Sequence, residues 1–313
     1  MYLRRTARHQ SQGRIIIFRF SYGLMRVENK IFQKKETIDR ELEQLLSRGD
    51  SLLFQAMRQT VLSGGKRYRP LLALASGECF GVLEDVMLHF ACALELIHNY
   101  SLIHDDLPSM DDDDFRRGKP SCHKSFGEDI ALLAGDSLLT LAFEVMSQAP
   151  LEEKLLPRKE KVIREISQLA GIKGMIGGQF LDITLSPEKI TEKEYYELIL
   201  KKTGSLIVAS LKSGAILGDA SPSQIHSLEE YGRNIGLAFQ IRDDIIDSVK
   251  DVQEKHPPRP NAVSLFGLEK AKRKLKTFVE RALRILKEAC LESDELCYLA
   301  SNLLESKSGS ENG

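Results

Sequence analysis

The sequence has almost no net charge, no closely spaced cysteine pair and no long apolar run, and each deficit removes a class of explanation. Lys+Arg 44 against Asp+Glu 45 leaves a formal charge of −1, so no whole-molecule field favours nucleic acid or an anionic membrane. Any anion-binding site must therefore be local. Five cysteines, Cys79, Cys92, Cys122, Cys290 and Cys297, form an odd set without a CxxC pair. Such a set suits neither a disulfide framework nor a zinc ribbon and points to a reducing, cytoplasmic compartment. No apolar run approaches the roughly 20 residues that span a bilayer, which predicts a soluble chain without a membrane span. Repeats of fixed period are also lacking, and alternating β-type runs are few.

What is present is a helical texture. From residue 36 onward apolar residues recur at three- and four-residue spacing, which predicts an all-α chain whose 313 residues can bury a core without staples. The most apolar stretch, from Val86 to His104, carries Phe90, Leu94, Leu96, Ile97 and Leu102 around nearly its whole circumference and is stopped by Pro108. A second long helix is expected over Leu228 to Val249. Residues 1 to 24 stand apart, because the first 27 residues hold six arginines and no acid. They read either as a transit-like extension, which would direct the chain to an organelle, or as a misassigned start ahead of Met25. The expected organisation is an extension at 1–24, one domain at 25–303 and a polar, disordered tail at 304–313.

The carboxyl end of the first apolar helix runs into Asp105, Asp106, Asp111, Asp112, Asp113 and Asp114. Helix physics opposes acids there, since the last turn carries partial negative charge and each costs about 0.3–1 kcal/mol. Two carboxylates about 5 Å apart add on the order of 3 kcal/mol of repulsion at an effective dielectric of 20. Gln240, Asp243, Asp244 and Asp247 likewise share one stripe of the second long helix. All-oxygen clusters of this kind suit Mg²⁺ or Mn²⁺ completed by substrate phosphates, and not zinc. The EF-hand spacing is not met.

Cations accompany the acids. Gly64 and Gly65 precede Lys66, Arg67 and Arg69, and Arg116, Arg117 and Lys119 follow the first acidic cluster. Arginine forks match phosphate oxygens, whereas the Walker pattern is absent. His98 and Ser101 lie on the face of the helix that carries Asp105. Gly177, Gly178, Gln179 and Asp182, with Lys202, Thr203 and Gly204, put glycine and polar groups inside apolar helices. Since each glycine costs about 1 kcal/mol there, close backbone packing or a ligand is expected.

Assembled in this order, the motifs resemble those of the short-chain trans-prenyl diphosphate synthases, especially bacterial-type farnesyl diphosphate synthases, over about residues 28 to 300. The resemblance implies an all-α isoprenoid synthase-type bundle with a deep central cavity, usually a homodimer. It further implies a Mg²⁺-dependent prenyltransferase that joins isopentenyl diphosphate to an allylic diphosphate. In it Asp105, Asp111 and Asp243 would hold the metal. Asp106, Lys202, Thr203, Gln240 and Asp244 would serve the reaction, and Gly65, Lys66, Arg69, His98, Arg116 and Arg117 would hold the two diphosphates. Tyr100 and Ser101, just below Asp105, would limit chain length at farnesyl diphosphate, with geranyl or geranylgeranyl diphosphate as alternatives.

One departure stands out. The loop after Asp247 is about eight residues short, Lys250 replaces the usual glycine, and the family's loop lysines have no counterparts except Lys255 and Arg259. The departure keeps open a weakly active or non-catalytic modulatory subunit. A class I terpene cyclase is disfavoured by the intact Lys66, Arg69 and Arg117.

Overall fold

A computed structural model describes residues 6–186, 189–248, 259–291 and 293–305, with side chains described from residue 25 onward. The described residues are all-α apart from one two-stranded hairpin. The chain opens with α1 (Thr6–Leu46), α2 (Leu52–Val61), α3 (Tyr68–Cys79) and α4 (Glu84–Asp105). A hairpin of β1 (Phe115–Arg116) and β2 (Lys119–Pro120) leads into α5 (Cys122–Phe126), α6 (Glu128–Ser147) and α7 (Leu156–Ala170). Then come α8 (Met175–Thr184), α9 (Glu192–Ile199), a π-helical turn at Leu200–Gly204, α10 (Ser205–Leu217) and α11 (Pro222–Asp247). The last helices are α12 (Ala262–Phe266), α13 (Leu268–Glu288) and α14 (Asp294–Ser301).

Local chemistry explains the two helices that carry acids. Glu84 and Asp85 favour the positive amino end of α4, and the turn before Pro108 ends it. α11 begins six residues before the expected Leu228, because Ser221 and Gln224 form a reciprocal capping box and Pro222 occupies the first turn. The expected end at Val249 lies outside the described residues. α4 is central, packed by α3, α6 and α10, with Phe90, Leu94, Leu96 and Ile97 fully buried. α11 lies between α10 and α13.

The reading that no segment is apolar enough to cross a bilayer needs correcting. By length and composition both α4 and α6 qualify. The reason is that their few acids are outweighed by small and aliphatic residues scattered between them, which a search for unbroken apolar runs overlooks. Burial in the core accounts for α4, whereas α6 leaves Leu132 and Leu133 exposed. The boundary expected between residues 24 and 25 falls within the continuous helix α1, and the polar tail from residue 306 lies outside the described residues.

Candidate active site

At the end of α4 the chain doubles back. The Asp111 N–H donates to the Asp105 carbonyl at 2.8 Å and that of Asp112 to the Leu107 carbonyl at 3.1 Å, so the acidic loop satisfies carbonyls that the helix end would leave without partners. This fold-back sets Asp111 close enough to Asp105 to raise its pKa. Burial is the larger cause and, against the cations Lys202, Arg116 and Arg259, brings Asp105 up to about 6. Asp106 is buried and held by Arg116, which also reaches Asp113 at 3.0 Å.

The second cluster divides by function. Asp243 is pushed up to about 6, mainly by burial, with Lys66 and Arg242 opposing. Asp244 is fully engaged: Tyr195 Oη and the Ala262 N–H each donate to Oδ2 at 2.6 Å, and Gln240 Nε2 donates to Oδ1 at 2.9 Å. Gln240 Oε1 in turn accepts from Thr203 Oγ1 at 2.9 Å. Thr203 belongs to the π-helical turn, a distortion that recurs at functional sites. That turn is seated against α8 through Gly178, where an added Cβ would lie 2.1 Å from the Lys202 backbone nitrogen. The close backbone packing expected of this glycine is therefore present.

Two cations already sit among the acids. Lys202 pairs with Asp182, and Arg259 donates to Asp182 at 2.7 Å while also pairing with Asp111. Arg259 thus bridges the loop after α4 to α8. Asp105 and Asp243 differ, because among the described residues no side-chain hydrogen bond or ion pair reaches either carboxylate. Two half-buried, oxygen-only groups that remain mostly ionised at neutral pH are donors fitted to a hard divalent cation such as Mg²⁺. Among the described residues no three acid, histidine or cysteine side chains converge to enclose an ion by themselves. Phosphate oxygens would complete such a shell.

The basic side of the site is built by the hairpin. Arg117 and Gly118 both have positive φ, 53° and 74°, as a two-residue primed turn requires. The turn sends the Arg117 guanidinium to the Gly64 carbonyl and against Gly65, whose φ of 131° and missing Cβ permit the approach. Arg69 is buried with its Nε unpartnered. Burial, reinforced by Arg69 and Arg117, holds the His98 pKa well below its ordinary value, so the ring is neutral at pH 7. Lys66 is exposed, with its ammonium 5.8 Å above the Phe239 ring. Arg67, between them, is structural. Its left-handed backbone turns the side chain inward, where Nε meets Asp39 at 2.7 Å, Nη1 meets Glu95 at 2.8 Å and Nη2 donates to the Val61 carbonyl.

The structure therefore brings Gly65, Arg69, His98 and Arg117 into one basic cluster and sets Lys66 beside Asp243. Asp105, Asp111, Lys202 and Arg116 form a second group within mutual electrostatic reach. Thr203, Gln240 and Asp244 form a hydrogen-bonded chain. Tyr100 is buried one turn before Asp105, its ring edge-on to His104, and Ser101 Oγ donates to the His98 carbonyl at 2.9 Å. Lys250 and Lys255 lie outside the described residues. The residue that sequence reading missed is Tyr195, since a tyrosine on the inner face of a short helix reads as ordinary core.

The polyprenyl synthetase family model matches residues 50–277. The chain is 39% identical over 285 residues to the farnesyl diphosphate synthase of Geobacillus stearothermophilus, covering 87% of this chain and 95% of that one. It is 38% identical over 270 residues to geranylgeranyl pyrophosphate synthase 4 of Arabidopsis thaliana, covering 82% and 71%. The apo crystal structure of an FPP/GFPP synthase from Zymomonas mobilis superposes with a TM-score of 0.80 at 36% identity, covering 90% of this chain and 100% of that one.

Proposed function

The chain belongs to the polyprenyl synthetase family and is a prenyltransferase that elongates prenyl chains, and on that premise we propose that it condenses isopentenyl diphosphate with dimethylallyl and geranyl diphosphates to give mainly farnesyl diphosphate. One observation carries this reading: the site holds two incomplete charge sets of opposite sign. The half-buried acids Asp105 and Asp243, desolvated and without an ion pair among the described residues, call for a cation. Arg69 and Arg117, around a neutral His98, call for an anion. Two diphosphates, one of them bringing metal, satisfy both.

Asp105, Asp111 and Asp243 would hold Mg²⁺ or Mn²⁺, which when bound would supply positive charge to the leaving diphosphate oxygens. The chain's own groups do the rest. Lys202 and Arg116 exchange part of their carboxylate contacts for the allylic diphosphate, and Arg259 moves from Asp111 toward the same group, standing in for the missing loop lysines. As the allylic carbon–oxygen bond breaks, the electron pair leaves with the diphosphate, and the cation so formed faces the oxygens of Thr203 and Gln240. Lys66, Arg69 and Arg117 hold isopentenyl diphosphate by charge, while neutral His98 contributes one hydrogen bond. The double bond of isopentenyl diphosphate attacks the cation, and the departed diphosphate takes the proton that restores a double bond. The reaction requires that water, which would quench the cation, be kept from it.

Tyr100 sets the product at fifteen carbons by closing the space below Asp105, with Ser101 beside it. The exposed Leu132 and Leu133 on α6 make that helix the interface of a homodimer. The five unpaired cysteines suit the cytoplasm. The test is an assay of the purified chain with labelled isopentenyl and geranyl diphosphates and Mg²⁺, followed by chromatography of the dephosphorylated products. Farnesol as the main product supports the reading. A chain that turns over only beside an active partner would make it a modulatory subunit instead.

A further inference from the structure

Tyr195 stands outside both acidic motifs and both basic ones, yet its hydroxyl ends a directed chain of hydrogen bonds that begins at Thr203. The direction follows from chemistry. Asp244 as a carboxylate has only acceptors, so it must receive hydrogens from Tyr195 Oη, the Ala262 N–H and the Gln240 amide. The Gln240 nitrogen therefore faces Asp244, and its oxygen faces Thr203. A carbonyl oxygen cannot donate, so the Thr203 hydroxyl must give its hydrogen to Gln240. The lone pairs of Thr203 are then turned away from Gln240.

The chain is anchored from behind. Tyr195 is 1% exposed, on α9, and its ring meets Phe266 of α12 edge-on at a centroid distance of 5.8 Å. Ala262, at the first position of α12, donates to the same Asp244 oxygen that Tyr195 does. Both donors are on elements other than α11, so Asp244 is fixed relative to three helices at once. Asp243, its neighbour, has no such partner among the described residues, which separates the tasks of two adjacent acids in one motif.

We propose that Tyr195 is a positioning residue for prenyl transfer: through Asp244 it sets the direction of the Gln240 amide and so keeps the Thr203 oxygen presented to the allylic cation. The inference rests on the reaction assigned above. Without the tyrosine hydroxyl Asp244 Oδ2 keeps only the Ala262 N–H, the carboxylate is held less firmly, the Gln240 N–H loses a fixed acceptor, and the Thr203 hydroxyl is freer to point its hydrogen at the cation. The ground state contains no cation, so the loss falls on the chemical step and not on diphosphate binding.

Tyr195→Phe removes only the hydroxyl and keeps the ring against Phe266. Its kcat with geranyl and isopentenyl diphosphates is expected to fall about 10- to 100-fold, the scale of a misdirected stabilising dipole. Both KM values are expected to stay within about twofold, because the diphosphate contacts are untouched. In a Gln240→Ala background the same substitution is expected to cost less than about twofold more, since residues acting as one unit are not additive. An unchanged kcat, a loss confined to KM, or full additivity with Gln240→Ala would each overturn the proposal. A crystal structure of Tyr195→Phe reads the chain without turnover: a displaced Gln240 amide or rotated Thr203 supports it, and unchanged positions refute it. If the unaltered protein transfers no prenyl group while that displacement is seen, the assigned reaction fails and the hydrogen-bonded chain stands.

Discussion

Asp105 and Asp243 are residues whose chemistry works against the stability of the fold that holds them. Burial raises both from 3.8 to about 6, so the folded state prefers the protonated acid more strongly than the unfolded chain does. The sign follows: their contribution is most favourable below about pH 3.8, and it is lost as pH rises through about 6. At pH 7 each ionised acid costs on the order of 1–3 kcal/mol in the metal-free protein. Asp105→Asn is therefore expected to be more stable than the unaltered protein at pH 7 by about that amount, with the advantage shrinking toward pH 4. Urea unfolding at a series of pH values checks this. The same substitution should lower prenyl transfer by several orders of magnitude. These acids were legible in the sequence, because acids at a helix carboxyl end contradict helix electrostatics and so announce themselves. Tyr195 was not, since its hydroxyl matters only through Asp244, 49 residues away.

At the scale of elements, α4 links the two halves of the site and carries Tyr100, the residue proposed to limit product length. Replacing Tyr100 by alanine is expected to open space one turn below Asp105 and shift products from fifteen carbons toward twenty, as read by chromatography of the dephosphorylated chains. A second consequence concerns how α4 is tied to its neighbours. Arg67, 1% exposed at the side chain, joins Asp39 of α1 to Glu95 of α4. Removing one member of a buried pair leaves the other charge uncompensated, so Arg67→Ala should destabilise the protein by about 3–5 kcal/mol in a denaturant titration. The sequence places Arg67 in a basic motif beside Lys66 and Arg69, and nothing in that motif tells the structural arginine from the one in the binding cluster. The distinction is a matter of backbone: a φ of 48° turns Arg67 away from its neighbours. The hairpin that presents Arg117 was equally hidden, because two consecutive left-handed residues, one an arginine, have no strong signature in composition.

For the whole molecule, the exposed leucines of α6 matter most. Leu132 and Leu133 are about half exposed, at 48% and 51%, on a helix apolar enough to span a bilayer. If the proposed homodimer forms through this face, replacing both by glutamate should convert it to a monomer in analytical ultracentrifugation, with the far-UV circular dichroism of the body retained. Loss of helicity in place of dissociation would mean that these side chains support the fold of the single chain. The sequence by itself determined that the protein is all-α, that its two long apolar helices carry acids toward their carboxyl ends, and which basic motifs accompany them. All of these are local or periodic properties, set by residues a few positions apart. Only the tertiary structure decided which charges compensate one another. Arg259 reaches Asp111 across 148 residues and Arg67 reaches Glu95 across 28, while among the described residues no side-chain hydrogen bond or ion pair reaches Asp105 or Asp243. Pairing of charges depends on distance in space and on burial, and neither is written in the spacing of residues along a chain.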